Sequence, residues 1–467
     1  MARPTPLSGF PEWLPAGRVV EQHVLDVLRR TFELHGFAGI ETRAVEPLDQ
    51  LLRKGETSKE VYVLRRLQEE TTVDGGAGGA DQAAAGLGLH FDLTVPLARY
   101  VIENAGRLTF PFRRYQIQKV WRGERPQDGR FREFTQADVD VVGQSTLPYH
   151  LEVELPLVIA AAFAALAEIG VPPVRILVNN RKVMEGFSRG LGLEDVEAVL
   201  RSVDKLDKIG PDGVTALLSS EVGASPAQAA AMLELAGVHG DDAAVVDRVR
   251  ELAQRLGVQD EMLDLGLTEL HQLISAASRR APGTVVADLK IARGLDYYTG
   301  SVYETVLVGH EQLGSICSGG RYDALATDGS TTYPGVGLSI GVSRLVSRLL
   351  SAGLVEATRA VPSAVLVAVV DEESRAASDE VAAELRGRGI PVEVAPTAAK
   401  FGKQIRYADR RGIPFVWFPS AGDEATAHQV KDIRSGEQVG ANPTTWRPPA
   451  EDLHPRAVPG EGGTGAA

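Results

Sequence analysis

Apolar residues between positions 17 and 37 recur every three or four residues, a spacing that places them on one face of a helix. They are Val20, Val24, Val27, Leu28 and Phe32. The pattern ends at Gly36, a residue type that commonly follows the last helical turn. The spacing therefore predicts an amphipathic opening helix. A second apolar stretch, residues 156–167, is shorter than the roughly 20 residues that cross a membrane, so it predicts a core helix and no membrane segment.

Residues 115–143 alternate apolar and polar positions on either side of a polar turn at 126–129. This pattern predicts a long antiparallel hairpin. On the returning strand, Gln136, Asp138 and Asp140 alternate with apolar residues, so they share one face with about 7 Å between successive Cα atoms.

The remaining chain divides into helical and mixed segments. Residues 180–280 are rich in Ala, Leu, Glu and Asp at helical spacing, which predicts a helical insertion. Its breakers are Gly190, Pro211, Gly223 and Gly257. Residues 75–88 are rich in Gly and Ala without periodicity, and we interpret them as a mobile insertion.

After a short polar linker, strand-like and helix-like blocks alternate from residue 364 to residue 418. This order predicts a small α/β domain with a mainly parallel or mixed sheet. The blocks are 364–370, 373–386, 391–395, 400–411 and 414–418. Residues from 441 onward are rich in Pro and Gly, which predicts a disordered tail.

The composition, 44% hydrophobic and 24% charged, is that of a soluble globular protein. The length of 467 residues allows roughly two to four domains. The single cysteine, Cys317, excludes an internal disulfide or a cysteine-rich zinc site and favours a reducing cytoplasm. We interpret it as a small packed thiol. The first 15 residues lack the apolar core of a signal peptide.

The net charge of −13 disfavours nonspecific binding to nucleic acid. The segment 105–135 departs from this average, because eight Lys and Arg residues stand there against three acidic ones. An acidic protein can bind RNA through such a patch.

The connection of the predicted hairpin carries residues suited to a nucleotide. They are Arg122, Glu124, Arg130 and Arg132. Arginine binds phosphate through two parallel hydrogen bonds, and an amide beside carboxylates suits a small zwitterion. A solvated strand face is the alternative for the strand alone, but the neighbouring arginines favour a nucleotide site.

Asp92 and Thr94 share one side of an extended run before Pro96. A carboxylate and a hydroxyl in this arrangement suit a substrate ammonium group. A helix cap is the alternative for the same two residues.

Adjacent tyrosines, Tyr297 and Tyr298, follow an Arg-Gly step that begins at Arg293. The hydroxyl of Tyr298 can bind a ring nitrogen, and Arg293 supplies a fixed positive charge. An aromatic strand in a core is the alternative. A glycine-rich stretch at 318–323 follows and allows the backbone to approach a ligand.

Arg344 lies in the first turn of a helix that is predicted to follow a glycine-punctuated strand at 335–341. A cation is unfavourable at the N-terminus of a helix. A bound anion would therefore explain this arginine.

Together these stretches resemble the three signature motifs of class II aminoacyl-tRNA synthetases, with two motifs typical of the histidine enzymes at 293–300 and 319–323. The chain is similar to the histidyl-tRNA synthetase family from residue 11 to about residue 440. The resemblance implies an α+β fold with an antiparallel-sheet catalytic core. The implied domains are the core (1–180 and 281–352), a helical insertion (181–280), an anticodon-binding α/β domain (363–440) and a disordered tail (441–467).

The resemblance also implies roles for individual residues. Catalytic residues are Arg293 and Arg122. Histidine-binding residues are Asp92, Leu93, Thr94, Gln136, Asp140, Tyr297 and Tyr298. ATP-binding residues are Arg122, Glu124, Arg130 and Arg344, and tRNA-binding residues are Gln127, Arg132, Lys403 and Arg406. In this scheme Asp92 and Thr94 hold the histidine ammonium group, Gln136 contacts its carboxylate, and Asp140 with Tyr298 binds the imidazole.

The resemblance implies that ATP activates L-histidine to histidyl-adenylate, which then reacts with the 3′ end of tRNA(His). Mg²⁺ would accompany ATP, and no protein metal ligand is expected. The first motif, formed by the opening helix and residues 40–47, implies a homodimer, and we expect it in the cytoplasm. Two alternatives are a regulatory relative that joins ATP phosphoribosyltransferase and a class II synthetase for another amino acid. The intact arginines and the motif at 293–300 disfavour both.

Overall fold

The computed structural model describes residues 5–52, 60–66, 86–127, 129–292, 298–420 and 428–463. The chain forms two compact units. The first contains residues 1–11, 25–167 and 171–348, and the second contains residues 12–24, 168–170 and 349–467. Helices and a largely antiparallel sheet in the first unit, with a separate mixed sheet in the second, confirm the α+β fold.

The first unit is built on a nine-stranded sheet beside a small three-stranded sheet. The strands of both are β1 (Ala38–Gly39), β2 (Val45–Pro47), β3 (Val63–Leu64), β4 (Leu87–Leu89), β5 (Phe112–Trp121), β6 (Glu133–Val142), β7 (Val174–Asn180), β8 (His239–Gly240), β9 (Val285–Asp288), β10 (Tyr298–Leu307), β11 (Cys317–Tyr322) and β12 (Gly335–Gly341). The large sheet runs in the order β1, β5, β6, β12, β11, β10, β7, β9, β8. Its β1–β5 and β7–β9 pairs are parallel, and its other described pairs are antiparallel.

Strands β5 and β6 form the predicted hairpin, with Phe112 opposite Val142 and Trp121 opposite Glu133. Alternation along β6 separates two faces, as the sequence predicted. The apolar residues Ala137, Val139 and Val141 are fully buried. The helix His150–Leu166, which contains most of the apolar stretch at 156–167, covers this side by packing on β6, β7 and β12. The polar face of β6 is therefore left on the opposite side of the sheet.

Helices of the first unit connect the strands and form the predicted helical segment. They are Leu48–Leu51, Thr94–Asn104, His150–Leu166, Arg181–Gly190, Val196–Val203, Leu206–Val222, Pro226–Ala236, Ala244–Leu256 and Glu261–Arg280. Helices Pro15–Leu34 and Val342–Ser351 have residues in both units. Among the described residues, no helix has the length and apolar content needed to cross a membrane.

Local capping explains where the helices of the 181–280 segment begin and end. Ser225 and Gln228 form a reciprocal capping box at the start of one helix, and Asp260 accepts hydrogen bonds from two backbone N–H groups at the start of another. Gly223 and Gly257 end their helices with φ of 69° and 68°, a conformation that glycine adopts without steric cost. These two glycines act as breakers at the positions that the sequence indicated.

The second unit contains a five-stranded mixed sheet and a separate two-stranded pair. The strands of both are β13 (Val355–Ala357), β14 (Val365–Val367), β15 (Val392–Val394), β16 (Phe415–Phe418), β17 (Gln429–Asp432), β18 (Gln438–Gly440) and β19 (Ala457–Pro459). The larger sheet runs in the order β15, β14, β16, β17, β18. Helices Arg375–Gly387, Phe401–Arg411 and Ala450–Leu453 belong to the same unit. Strands β15, β14 and β16 are parallel, so the predicted β-α-β-α-β order is confirmed.

The described part of the C-terminal segment, residues 441–463, differs from the disordered tail that we predicted. Strand β19 pairs antiparallel with β13, and Ala457 is 4% exposed. The side chain of Trp446 packs edge-on against Trp417, with 5.5 Å between ring centroids. The Pro and Gly content of the segment predicted disorder, but β19 is ordered by pairing with β13, a strand about 100 residues earlier in the chain.

Candidate functional site

A cavity of about 250 Å³ opens on the polar face of the large sheet. Its walls come from the β5–β6 connection, from strands β6, β11 and β12, and from the first turn of the helix Val342–Ser351. The lining residues are Arg122, Glu124, Gly129, Arg130, Phe131, Phe134, Gln136, Ser315, Ile316, Cys317, Ser318, Ser339, Gly341 and Arg344. All four predicted ATP-binding residues and one predicted histidine-binding residue therefore share one cavity.

Arg122 follows directly after β5 and is held by three contacts. Its backbone N–H donates to the carbonyl of Arg132 at 2.8 Å, and its side-chain Nε donates to the carbonyl of Phe91 at 3.0 Å. Its guanidinium carbon lies 5.1 Å from the ring centroid of Phe134. Because one carbonyl and one aromatic ring orient it, the guanidinium is positioned in the cavity wall before any ligand binds.

Acidic side chains lie beside Arg122. Glu124 forms a long ion pair of 3.7 Å with Arg130, and Glu60 also contacts Glu124. Burial raises the pKa of Glu60, Arg122 opposes that shift, and the nearby Glu124 adds to it. The sequence analysis missed Glu60, which reaches the site through a backbone hydrogen bond from Gly123 to its carbonyl.

Arg344 lies in the first turn of its helix, as predicted. Its Nη1 donates to the carbonyl of Ser315 at 2.7 Å, and its Nη2 donates to the carbonyl of Leu313. These two carbonyl oxygens offset part of the unfavourable interaction with the helix N-terminus. A bound anion is therefore not needed to explain the arginine, although its guanidinium lines the cavity.

Gln136 lies at the boundary between the cavity and a buried polar network. Its Nε2 donates to Oγ of Ser339 at 2.9 Å, and Ser339 in turn donates to Asp138. Because the hydroxyl proton of Ser339 is directed to Asp138, Ser339 can only accept from Gln136, which fixes the orientation of the amide. Oε1 of Gln136 is buried and accepts no hydrogen bond from the described residues.

Asp140 lies next to the cavity rather than in its lining. Its Oδ2 is 2.8 Å from Nη2 of Arg114 in an ion pair, and its Oδ1 accepts a hydrogen bond from Tyr322 at 3.0 Å. Gly337 lies opposite Asp140 in the β6–β12 register, and a side chain at that position would overlap the carboxylate. Burial raises the pKa of the neighbouring Asp138 to about 7, although Arg114 lowers it.

Asp92, Leu93 and Thr94 start the helix Thr94–Asn104. Oδ1 of Asp92 accepts a hydrogen bond from the backbone N–H of Val95 at 3.1 Å, so the capping alternative is observed. Leu93 is fully buried. The charge of Asp92 also raises the pKa of the buried Asp138.

Tyr298 opens β10 opposite Tyr322, with the side chains of both on one face of the sheet. Its ring covers Gly320, where a β-carbon would lie 2.8 Å from the ring. Tyr298 is thus paired with the residue that donates to Asp140, and its assignment to the imidazole stays a prediction. Arg293 and Tyr297 lie outside the described residues, so the structure leaves their predicted roles untested.

None of the four predicted tRNA-binding residues lines the cavity. Gln127 is exposed at the tip of the hairpin connection, while Nε of Arg132 donates to the carbonyl of Glu124 at 3.1 Å. The backbone of Gly9 also accepts hydrogen bonds from the N–H groups of residues 132 and 133. In the second unit, Lys403 and Arg406 are exposed on one face of the helix Phe401–Arg411.

Two further residues of the site were not predicted from the sequence. Arg114 and Ser339 both contact the carboxylates of β6. The alternation of β5 and β12 placed them on the polar face, but only the pairing register brings them next to Asp138 and Asp140. The register could not be predicted from either strand alone.

Comparisons with known proteins point to one family. A family model described as histidyl-tRNA synthetase matches residues 9–345, and a model described as an anticodon binding domain matches residues 364–443. A Micrococcus luteus protein named histidine–tRNA ligase is 62% identical over 461 residues, which cover 98% of this chain and 99% of the relative. A protein of the same name from Cutibacterium acnes is 59% identical over 98% of this chain and 99% of its own length.

Solved structures give the same picture. The crystal structure of histidyl-tRNA synthetase from Nostoc sp. PCC 7120 is 37% identical with a TM-score of 0.81, covering 95% of this chain and 97% of that chain. A Bacillus halodurans structure described as an ATP phosphoribosyltransferase regulatory subunit/histidyl-tRNA synthetase shares the fold, with 20% identity, a TM-score of 0.68, and coverage of 86% of this chain and 96% of its own.

Proposed function

This chain belongs to the histidyl-tRNA synthetase family and ligates histidine to tRNA(His) with ATP, and we propose that the cavity on its large sheet is where the first half of that reaction takes place. In that step a carboxylate oxygen of histidine attacks the α-phosphorus of ATP. The bond from phosphorus to the bridging oxygen breaks, which gives histidyl-adenylate and pyrophosphate. The terminal ribose hydroxyl of the tRNA then attacks the histidyl carbonyl carbon and loses its proton, and the bond from that carbon to the adenylate oxygen breaks, which releases AMP.

Arg122 and Arg344 bind the phosphates from the cavity wall in this proposal. Their guanidinium groups are oriented by backbone carbonyls, so they neutralise the charge on the phosphate oxygens without first reorganising. Phe131 and Phe134 add aromatic surface to the lining, which suits stacking of a purine base. Arg130 contributes further positive charge at the rim, and Arg293 adds charge at the α-phosphate.

Histidine binds where the cavity meets the buried network. Oε1 of Gln136 is a buried acceptor, which suits the substrate ammonium group, while the second hydrogen of its Nε2 remains suited to the carboxylate. Asp92 and Thr94 hold the ammonium group, with Leu93 between them in the sequence. Asp140 and Tyr298, with Tyr297 beside them, bind the imidazole nitrogens. This assignment extends the resemblance-based role of Gln136, which named the carboxylate alone.

Mg²⁺ accompanies the triphosphate in our proposal. Glu124, which the sequence analysis assigned to ATP and not to a metal, would supply a carboxylate at the cavity wall, and Glu60 lies beside it. One or two carboxylates plus substrate phosphates are the ligand set that Mg²⁺ prefers. The ion would neutralise phosphate charge, and it requires no dedicated group of protein ligands.

Binding of tRNA extends beyond the cavity. Gln127 and Arg132 lie on the hairpin connection beside the reacting end, and Lys403 and Arg406 offer exposed positive charge to the phosphates of the anticodon stem. We also propose that the chain acts as a cytoplasmic homodimer, with the helix Pro15–Leu34 and residues 40–47 at the interface.

The observation that best supports the proposal is that Arg122, Gln136 and Arg344 line one cavity. Exchange of labelled pyrophosphate into ATP, measured with each of the 20 amino acids, is expected with histidine alone. Arg122→Ala should lower that rate about 100-fold or more, as loss of a preorganised charge does. Arg201→Ala, which removes an exposed arginine from a helix outside the cavity, is the matched control. Equal rates for the two variants would contradict the assignment.

A further inference from the structure

Arg114 is the charged centre of the buried network behind the histidine subsite. Its side chain is fully buried on β5, directly opposite Asp140 in the hairpin register. Nη2 lies 2.8 Å from Oδ2 of Asp140 and 3.9 Å from Oδ2 of Asp138. Nη1 donates to Oε1 of Gln116 at 3.3 Å. One guanidinium thus serves two carboxylates that are each 3% exposed.

The network reaches both ends of the proposed histidine subsite. Asp138 connects through Ser339 to Gln136, and Asp140 accepts from Tyr322 on β11. A displacement of Arg114 would therefore move the acceptors for the imidazole and for the amino group together.

Burial makes the charge of Arg114 necessary. Two carboxylates removed from water repel one another, and without a counter-ion one of them binds a proton. The other groups that act on the pair are Asp92, which is also acidic, and Cys317 and Tyr322 on β11, which are neutral at physiological pH. None of these can replace a positive charge.

We propose that Arg114 is a positioning residue for histidine recognition, which keeps Asp140 ionised and fixes its carboxylate so that it accepts a hydrogen bond from the imidazole N–H. This inference rests on the proposed function of the cavity. An ionised carboxylate only accepts hydrogen bonds, whereas a protonated one presents an O–H and accepts less well. Selection of a ring that carries an N–H therefore depends on a residue that does not touch the substrate.

The test replaces the charge without removing the side-chain volume. Arg114→Met in the full chain should raise the KM for histidine at least 10-fold in pyrophosphate exchange and change the KM for ATP less than about 2-fold. The wild-type KM for histidine should level off soon above pH 7, because the free imidazole pKa is about 6.5 and the pKa of Asp138 is about 7. In the variant, histidine binding should keep improving to about pH 9, because the carboxylates lose their shared proton only at higher pH.

Two companion variants separate charge from structure. Arg114→Met combined with Asp138→Asn removes one carboxylate together with the guanidinium, so the net charge of the cluster is restored and the wild-type pH profile should return. Arg114→Lys keeps a positive charge and should also keep that profile, with a smaller rise in the KM for histidine. If Arg114→Met does not fold, the pH profiles of the double variant and of Arg114→Lys are compared with the wild-type profile instead.

The outcomes that overturn the proposal differ from those that overturn the function. Wild-type exchange with histidine, together with an unchanged pH profile in Arg114→Met, refutes the role of Arg114 alone. The role of Arg114 is also refuted if Arg114→Met raises the KM values for histidine and ATP equally. It is refuted as well if the pH profile of the double variant stays shifted. Absence of exchange in the wild type would refute the proposed function and this inference together.

Discussion

Gly337 lies opposite Asp140, and a methyl group added there tests whether that carboxylate binds histidine. In Gly337→Ala the new β-carbon would lie much closer to Oδ1 of Asp140 than the 3.0 Å that β-carbons keep from other atoms. The overlap amounts to about 1 Å, so the carboxylate has to move. Its surroundings are tightly packed, since Asp140 is 3% exposed and held between Arg114 and Tyr322.

The magnitude follows from the contacts that move. Inserting a methyl group into a packed site costs about 1–3 kcal/mol of folding free energy, which lowers the Tm by a few degrees. A hydrogen bond to a charged group contributes about 1.5–3 kcal/mol, so loss of the Asp140–imidazole contact should raise the KM for histidine about 10- to 100-fold. The KM for ATP should change little, because Gly337 and Asp140 lie outside the cavity lining.

The assay is pyrophosphate exchange at varied histidine and fixed saturating ATP, then the reverse, with thermal unfolding measured in parallel. Gly106→Ala is the control, because Gly106 lies outside the cavity lining and its β-carbon would meet no atom within 4 Å. The dependence of this control on histidine and on ATP should equal that of the wild type. A folded Gly337→Ala protein with an unchanged KM for histidine would refute the assigned contact.

Three more outcomes are expected. Gly9→Val should slow tRNA charging more than pyrophosphate exchange. The φ of Gly9 is 85°, and a β-carbon there would lie 2.9 Å from the side chains of Pro126 and Arg132, so the hairpin connection has to shift. Equal slowing of both reactions would contradict this. Joint replacement of Lys403 and Arg406 by Ala should weaken tRNA binding and reduce its salt dependence, with unchanged exchange as the internal control. In the wild type, the pKa of Asp138 is raised to about 7 in the folded state, so its protonated form stabilises the fold below the unfolded pKa of about 4. That contribution is lost as the pH rises from about 4 through 7, and the Tm falls. In Asp138→Asn the fall of Tm over this range should be smaller.

The hairpin and its polar face could be predicted because alternation is a local signal. Each of Gln136, Asp138 and Asp140 faces away from the apolar residues between them whatever the strand pairs with. The cavity arginines were predictable for a similar reason, since Arg122 and Arg344 occur beside strand ends that the sequence marks with glycine and polar residues.

Features that depend on distant partners were not predictable in this way. Composition indicated disorder after residue 441, yet β19 is ordered by its pairing with β13. The charge of Arg344 suggested an anion, yet two carbonyl groups from residues 313 and 315 already interact with it. Arg114 was counted only as part of a basic segment, because nothing in its neighbouring residues reveals a buried position between two carboxylates.

The same contacts fix the register of the sheet and the geometry of the site. Asp140 fits only opposite a residue without a β-carbon, and the ring of Tyr322 crowds the β-carbon position of Gly335 in the same way. A slip of one residue between β6 and β12 would turn the polar face of β6 toward the helix His150–Leu166 and bury unpaired carboxylates against apolar side chains. The glycines of β12 therefore have two effects. They exclude the wrong register, and Gly337 leaves room for the carboxylate of Asp140, to which we assign imidazole binding.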